Sequence, residues 1–295
     1  MDGGDTWLEG TNPANRKQVA SEKRTAVEHS AIAVIGCGHL GAALARGFRQ
    51  KLGIRSERLT LCDRGSGRAQ QVAAEIGAQA GSDLTKVAQA ADIIVLAVKP
   101  AAVPGVLATV KQAVAEAKIK PLVISVASGV TVQRLKECLG PSFPVVRVMP
   151  NLPSMIGVGV SGIFAETAEH AALAETLFSA VGRAVVVNSE SDIDAITALG
   201  ASAPAFIFVA LEALADGGVK MGLSREVAQL VAAQMCLGSA AMALESGLHP
   251  AQLKDRVASP GGTTIAGLHV LEREGFRATL ISAVEASALK AKERA

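Results

Sequence analysis

The 295 residues carry 29 Lys and Arg against 27 Asp and Glu, and a net charge of +2 gives no broad field to gather nucleic-acid phosphates or anionic lipid. That length allows two domains, each able to bury an apolar core without disulfide or metal support. The four cysteines, Cys37, Cys62, Cys138 and Cys236, lie far apart with no C-x-x-C pair; this excludes a secreted disulfide framework and a zinc site and points to reduced thiols in the cytoplasm.

Residues 1–30 mix acidic and basic side chains with Gly, Asn and Pro and hold no apolar run, so they predict a flexible extension rather than a secretory signal. From 31 to 189 short apolar runs alternate with helical stretches. The runs at 31–35, 59–62, 93–98, 122–126, 145–149 and 184–187 are apolar almost throughout, as strands covered on both faces are. Stretches such as 42–52, 68–76, 103–115 and 132–139 read as amphipathic helices, the last opened by a Thr131 cap. Repeated βαβ units predict an α/β fold with a doubly wound parallel sheet over 31–189.

The first run leads into Gly36-Cys37-Gly38-His39-Leu40-Gly41, which opens a helix, and Asp63 ends the second run. Strand before, helix after and an acidic residue at that spacing make a dinucleotide-binding turn. Gly36 permits the tight turn, Gly38 lets backbone approach a pyrophosphate, and Gly41 lets the helix pack close to the sheet. Asp63 and Arg64 pull the cofactor in opposite directions. A carboxylate there accepts from the ribose hydroxyls of NAD, while Arg64, with Ser66 and Arg68 beside it, can pair with the 2′-phosphate of NADP. A solvated helix entry accounts for the two arginines equally well. Three later strand ends, Ala97-Val98-Lys99-Pro100, Ala127-Ser128-Gly129 and Met149-Pro150-Asn151, are expected along the nicotinamide half of the crevice.

After 189 the strand signals stop. Helices are predicted at 193–199, 204–215, 225–245, 251–257 and from 264 to the end, with joints at Asp216-Gly217-Gly218 and Pro260-Gly261-Gly262, so that 190–295 forms an all-α domain. Stretches 195–211 and 227–244 carry no charge and approach the length of a membrane span. Gln229, Gln234, Ser239, Gly200, Ser202 and Pro204 within them suit a protein bundle better than lipid. Helices apolar on nearly all sides need cover that one small domain cannot give, and a second subunit is the expected cover. Near the end, Val257 to His269 holds Pro260-Gly261-Gly262 followed by Thr263 and Thr264 at a helix start. Exposed N–H groups in such a turn form an anion-binding concavity, although a capped helix after a turn explains the pattern equally.

The run SPGGTTIAGLHVLE at 259–272 resembles the signature of pyrroline-5-carboxylate reductases, as do ADGGVKMG at 215–222 and AVEA at 283–286. GCGHLG, AVKP and MPNLP match the same family in the same order, so the resemblance covers residue 31 to the end. It implies a Rossmann domain followed by a helical dimerisation domain, dimers within a larger ring such as a decamer, and NADPH or NADH as donor. The implied reaction is reduction of 1-pyrroline-5-carboxylate to L-proline, the last step of proline synthesis. Carried over by motif, Val257, Gly262, Thr263 and Asn151 would bind substrate, with the backbone of 262–264 on its carboxylate and the Thr264 hydroxyl on the ring nitrogen. Two segments depart from the family pattern: Ala201-Ser202-Ala203-Pro204 replaces Gly-Ser-Gly-Pro, and Arg256 stands where Asn is frequent. His39 and His269 read as turn or surface residues rather than acids. Two other readings are a β-hydroxyacid-dehydrogenase-like oxidoreductase and a non-catalytic nucleotide-sensing scaffold. Against the first, Lys220 follows Asp216 and not the Gly of a Gly-x-x-x-Lys motif; against the second, the 259–264 segment is intact.

Overall fold

The computed structural model describes residues 27–293. The extension expected over 1–30 falls mostly outside them, and Val27 already packs in the core. Contacts divide the chain into two units, one running to Ala201 with the carboxyl end from Ala291, the other Ser202–Lys290.

The first unit is built on β1 (Ile32–Ile35), β2 (Leu59–Cys62), β3 (Gln79–Gly81), β4 (Ile93–Leu96), β5 (Leu122–Ser125), β6 (Val145–Met149), β7 (Gly159–Ala165) and β8 (Gly182–Val186). They form one sheet in the order β3-β2-β1-β4-β5-β6-β7-β8, reversing direction of travel between β1 and β4. The doubly wound, mainly parallel sheet is as expected, with two corrections. β3 and β7 stand where the sequence shows no strand pattern, and β7 runs antiparallel to β6, with Phe164 opposite Arg147.

Alternation along each strand separates two cores. Ile32 and Val34 of β1 face α1 (His39–Gln50), α2 (Arg68–Ile76) and α6 (Ala168–Phe178), where Phe48 meets Phe178 edge to face at 6.4 Å. Ala33 and Ile35 face α3 (Leu84–Ala90), α4 (Val103–Ala113) and α5 (Val132–Leu139). Because both faces are covered, β1, β4 and β5 are buried at every position. Arg147 is the exception to an apolar β6. Its guanidinium is buried and donates to Glu190 at 3.1 Å and Asp194 at 3.0 Å, both on α7 (Glu190–Ile196). Glu190 also accepts the Val132 N–H that opens α5, so one buried cation ties three elements together.

The second unit contains α8 (Ala203–Lys220), α9 (Arg225–Ser246), α10 (Pro250–Val257), α11 (Thr263–Arg273) and α12 (Phe276–Lys292). The joint expected at Asp216-Gly217-Gly218 does not exist: all three residues lie inside α8. A Cβ on Gly218 would stand 3.1 Å from the Ala228 Cβ of α9, so glycine serves close helix packing there rather than a turn. The helix expected from 264 to the end is divided by Gly275, which takes φ +74°. The buried cluster of this unit consists of Ala215, Ala228 and Ala232, with Leu211 and Val219 packed beside them. Residues 190–220 and 225–246 are long and apolar enough to cross a membrane by length and composition, and little of their most apolar stretches is buried within the structure.

Candidate active site

The turn after β1 touches β4 backbone to backbone. Gly36 takes φ +99°, and a Cβ on it would stand 2.5 Å from the Ala97 carbonyl oxygen. Gly41 packs its Cα against the Gly36 carbonyl and leaves no room for a side chain. Gly38 differs from both. Its backbone is extended, and a Cβ on it meets nothing within 4 Å. Neither conformation nor packing within the protein asks for glycine at 38, which fits the close approach of a ligand expected there. Gly38 is also the N-cap of α1, and no side chain caps that helix, so its leading N–H groups and partial positive charge are available to an anion.

A cleft of about 530 Å³ opens at this point. Of the predicted residues, Gly36, Gly38, Asp63, Arg64, Ala97, Val98 and Lys99 line it. Ser82 and Leu84 line it as well, and sequence reasoning missed them because β3, with the pattern Q-A-G, is too short and too exposed to show a period. His39 is exposed at the start of α1, and Leu40 is half-buried against the core. Pro100, Ala127 and Gly129 follow the neighbouring strand ends but are outside the cleft lining. Cys37 is buried under the turn, its thiol 3.9 Å from the Cys62 carbonyl. Burial, and then the nearby Asp63 and Cys62 charges, push that thiol up to about 11. An uncapped helix start, a glycine open to the outside and an arginine on the cleft wall make a donor set that fits a phosphate-rich dinucleotide.

Asn151, expected on substrate, also braces the chain. Its Oδ1 accepts the Val160 N–H at 3.0 Å and its Nδ2 donates to the Gly200 carbonyl at 3.0 Å, which leaves one N–H and one lone pair of the carboxamide for other partners. Gly200 lies in a π-helical turn, Thr197–Ser202, just before Pro204. Proline has no N–H for the carbonyl four residues back, and Asn151 supplies the donor in its place.

In the second unit Pro260-Gly261-Gly262 forms the turn into α11, with Gly261 at φ +66°. Gly262 is the N-cap and makes no side-chain cap, so the first N–H groups of α11 are open to an anion as at α1. The Cα of Gly262 lies against Ser259, where any side chain would collide with the Ser259 hydroxyl. Thr264 is half-buried in the first turn, Thr263 and Arg256 are exposed, and Val257 is 66% exposed at the end of α10.

Residues 190–294 match the family described as pyrroline-5-carboxylate reductase dimerisation, and 31–129 match that described as NADP oxidoreductase coenzyme F420-dependent. A pyrroline-5-carboxylate reductase of Methanosarcina acetivorans is 40% identical over 90% of this chain and 98% of its own. Among solved structures, a pyrroline-5-carboxylate reductase from Coxiella burnetii superimposes with a TM-score of 0.85 at 37% identity, covering 90% of this chain and 98% of that one. The Plasmodium falciparum pyrroline carboxylate reductase with NADP bound gives 0.78 at 32% identity, over 90% and 98%. With the two matched regions in this order and the identity sustained along nine-tenths of its length, the chain belongs to the pyrroline-5-carboxylate reductase family.

Proposed function

We propose that the protein reduces 1-pyrroline-5-carboxylate to L-proline, with NADPH as the preferred donor and NADH as a second one. The observation that carries this reading is the uncapped start of α11, where Gly262, Thr263 and Thr264 present backbone donors beside a half-buried hydroxyl. Those N–H groups take the substrate carboxylate, and the Thr264 Oγ orients the ring nitrogen. A bound reduced nicotinamide supplies the hydride that saturates the C=N bond. The protonated imine is already electrophilic and its nitrogen already carries the proton the product keeps, so the residues have to position rather than protonate. The N-terminal turn of α1 takes the pyrophosphate; the Ala97–Pro100 stretch, Ala127 and Gly129 belong to the nicotinamide side.

The division of labour at residues 189/190 follows the same reading: 31–189 hold the dinucleotide, and 190–295 carry the substrate turn and the surface for a second copy. That second copy, within a ring such as a decamer, is supported by the exposed apolar residues of α8 and α9, among them Phe208, Val209, Leu230 and Leu237. A reducing compartment, the cytoplasm, suits four cysteines that form no disulfide. The test is to add pyrroline-5-carboxylate to protein and NADPH and follow both nucleotide absorbance and L-proline. Proline formed in step with NADPH oxidation supports the reading, and oxidation without proline overturns it.

A further inference from the structure

The loop between β2 and α2 is wound around one carboxylate. Asp63 accepts the Arg64 N–H on Oδ1 at 2.7 Å and the Ser66 hydroxyl on Oδ2 at 3.0 Å. Ser66 in turn accepts the Arg68 N–H at 3.3 Å, and the Asp63 carbonyl accepts the Gly65 N–H at 2.9 Å. Gly65 and Gly67 take φ +74° and +73°, the left-handed turns that bring 64, 66 and 68 back toward the carboxylate. Each of the two oxygens that would receive a ribose diol already accepts one bond inside the loop, which fixes the direction of the carboxylate. Among the described residues, neither the Arg64 nor the Arg68 guanidinium enters an ion pair, while Asp63 and Arg64 both border the cleft.

We infer that Asp63 is a positioning residue for a phosphate reader and not a ribose ligand: it holds the loop so that Arg64, Ser66 and Arg68 meet the 2′-phosphate of NADPH. This inference rests on the dinucleotide reading of the cleft. It resolves the opposition between Asp63 and Arg64 by giving the two residues one task. A negative charge beside a 2′-phosphate repels it, so a carboxylate is tolerated there only where its hydrogen bonds hold the arginines in place.

Charge and hydrogen bonding separate in the pair Asp63→Asn and Asp63→Ala. Both remove the charge. Asparagine keeps an acceptor for the Arg64 N–H and a polar partner for the Ser66 hydroxyl, whereas alanine keeps neither. The measurement is calorimetric binding of NADP⁺ and of NAD⁺ to the full-length protein, with no substrate present. Asp63→Ala should bind NADP⁺ about five- to tenfold more weakly than Asp63→Asn, while the two variants bind NAD⁺ within about twofold of each other. An Asn-to-Ala loss as large for NAD⁺ as for NADP⁺ would return Asp63 to the ribose. Equal NADP⁺ affinity in the two variants would show that the loop does not need the bonds. If the wild-type protein bound neither dinucleotide, the reading of the cleft itself would fall, an outcome distinct from either of these.

Discussion

Cys37 occupies the middle of the glycine turn, with its thiol enclosed beneath it. Burial pushes its thiol up, and the neighbouring Asp63 charge acts in the same direction, so it stays protonated at neutral pH. A neutral, enclosed thiol is a packing residue. Thr264 is the opposite case, an ordinary side chain to which the proposed reading gives a task. It stands in the first turn of a helix that no side chain caps, so its hydroxyl lies beside open N–H groups, and in the proposed reading the N–H groups take the carboxylate while the hydroxyl meets the ring nitrogen. Thr264→Val keeps the shape and removes the hydroxyl. Losing one oriented hydrogen bond in a site costs about 1–3 kcal/mol, so turnover should fall roughly ten- to a hundredfold while NADP⁺ binds as before. Gly262→Val should instead raise the KM for pyrroline-5-carboxylate, because a side chain there has to displace Ser259 and crowd the carboxylate. Steady-state kinetics with pyrroline-5-carboxylate distinguish the two, and wild-type values in both variants would place the substrate elsewhere.

At the scale of elements, sequence pattern and structure agree where one force dominates and part where tertiary contact decides. β1, β4 and β5 are legible because burial on both faces makes them apolar throughout. β7 is not: Gly159 and Gly162 within it have the look of a loop, and their small size answers to packing against Ser154 and Ile196 that no local pattern reveals. Gly218 misleads in the same way inside α8. The candidate site divides likewise. The glycine turn and Asp63 are legible through spacing, whereas the scaffold role of Asn151 depends on Pro204, far away in sequence, and on the π-helical turn that leaves the Gly200 carbonyl in need of a donor. That dependence can be measured. Asn151→Asp keeps the acceptor for Val160 and loses the donor for Gly200, which should cost about 1–3 kcal/mol in urea unfolding. Pro204→Ala restores a backbone N–H four residues after Gly200, so in the double variant the penalty of Asn151→Asp should shrink by more than half. Additive effects in this cycle would mean that Asn151 and Pro204 do not share the carbonyl.

For the whole molecule the decisive feature is the imbalance between the two units. The sheet unit encloses two cores rich in Leu, Ile, Val and Phe, while the second unit gathers its buried cluster from three alanines. Long helices with so small a core do not hold together by their own burial. Their large apolar side chains are outside: Leu230 is 69% exposed, Val209 67%, Leu237 63% and Ile281 63%. Covering each such side chain is worth about 1.5–3 kcal/mol, so cover of several would outweigh what the small core of this unit supplies. A bilayer could cover the same length of helix, and the two ideas predict different behaviour. If a second copy is the cover, the detergent-free protein has at least twice the mass of one chain by light scattering down to nanomolar concentration. Leu230→Glu combined with Leu237→Glu, one i, i+7 pair on α9, should then lower that mass and reduce helical circular dichroism together, since the unit loses its core when it loses its partner. A stable, fully helical monomer would remove the argument, and protein that pellets with lipid vesicles and requires detergent would give the helices to the membrane.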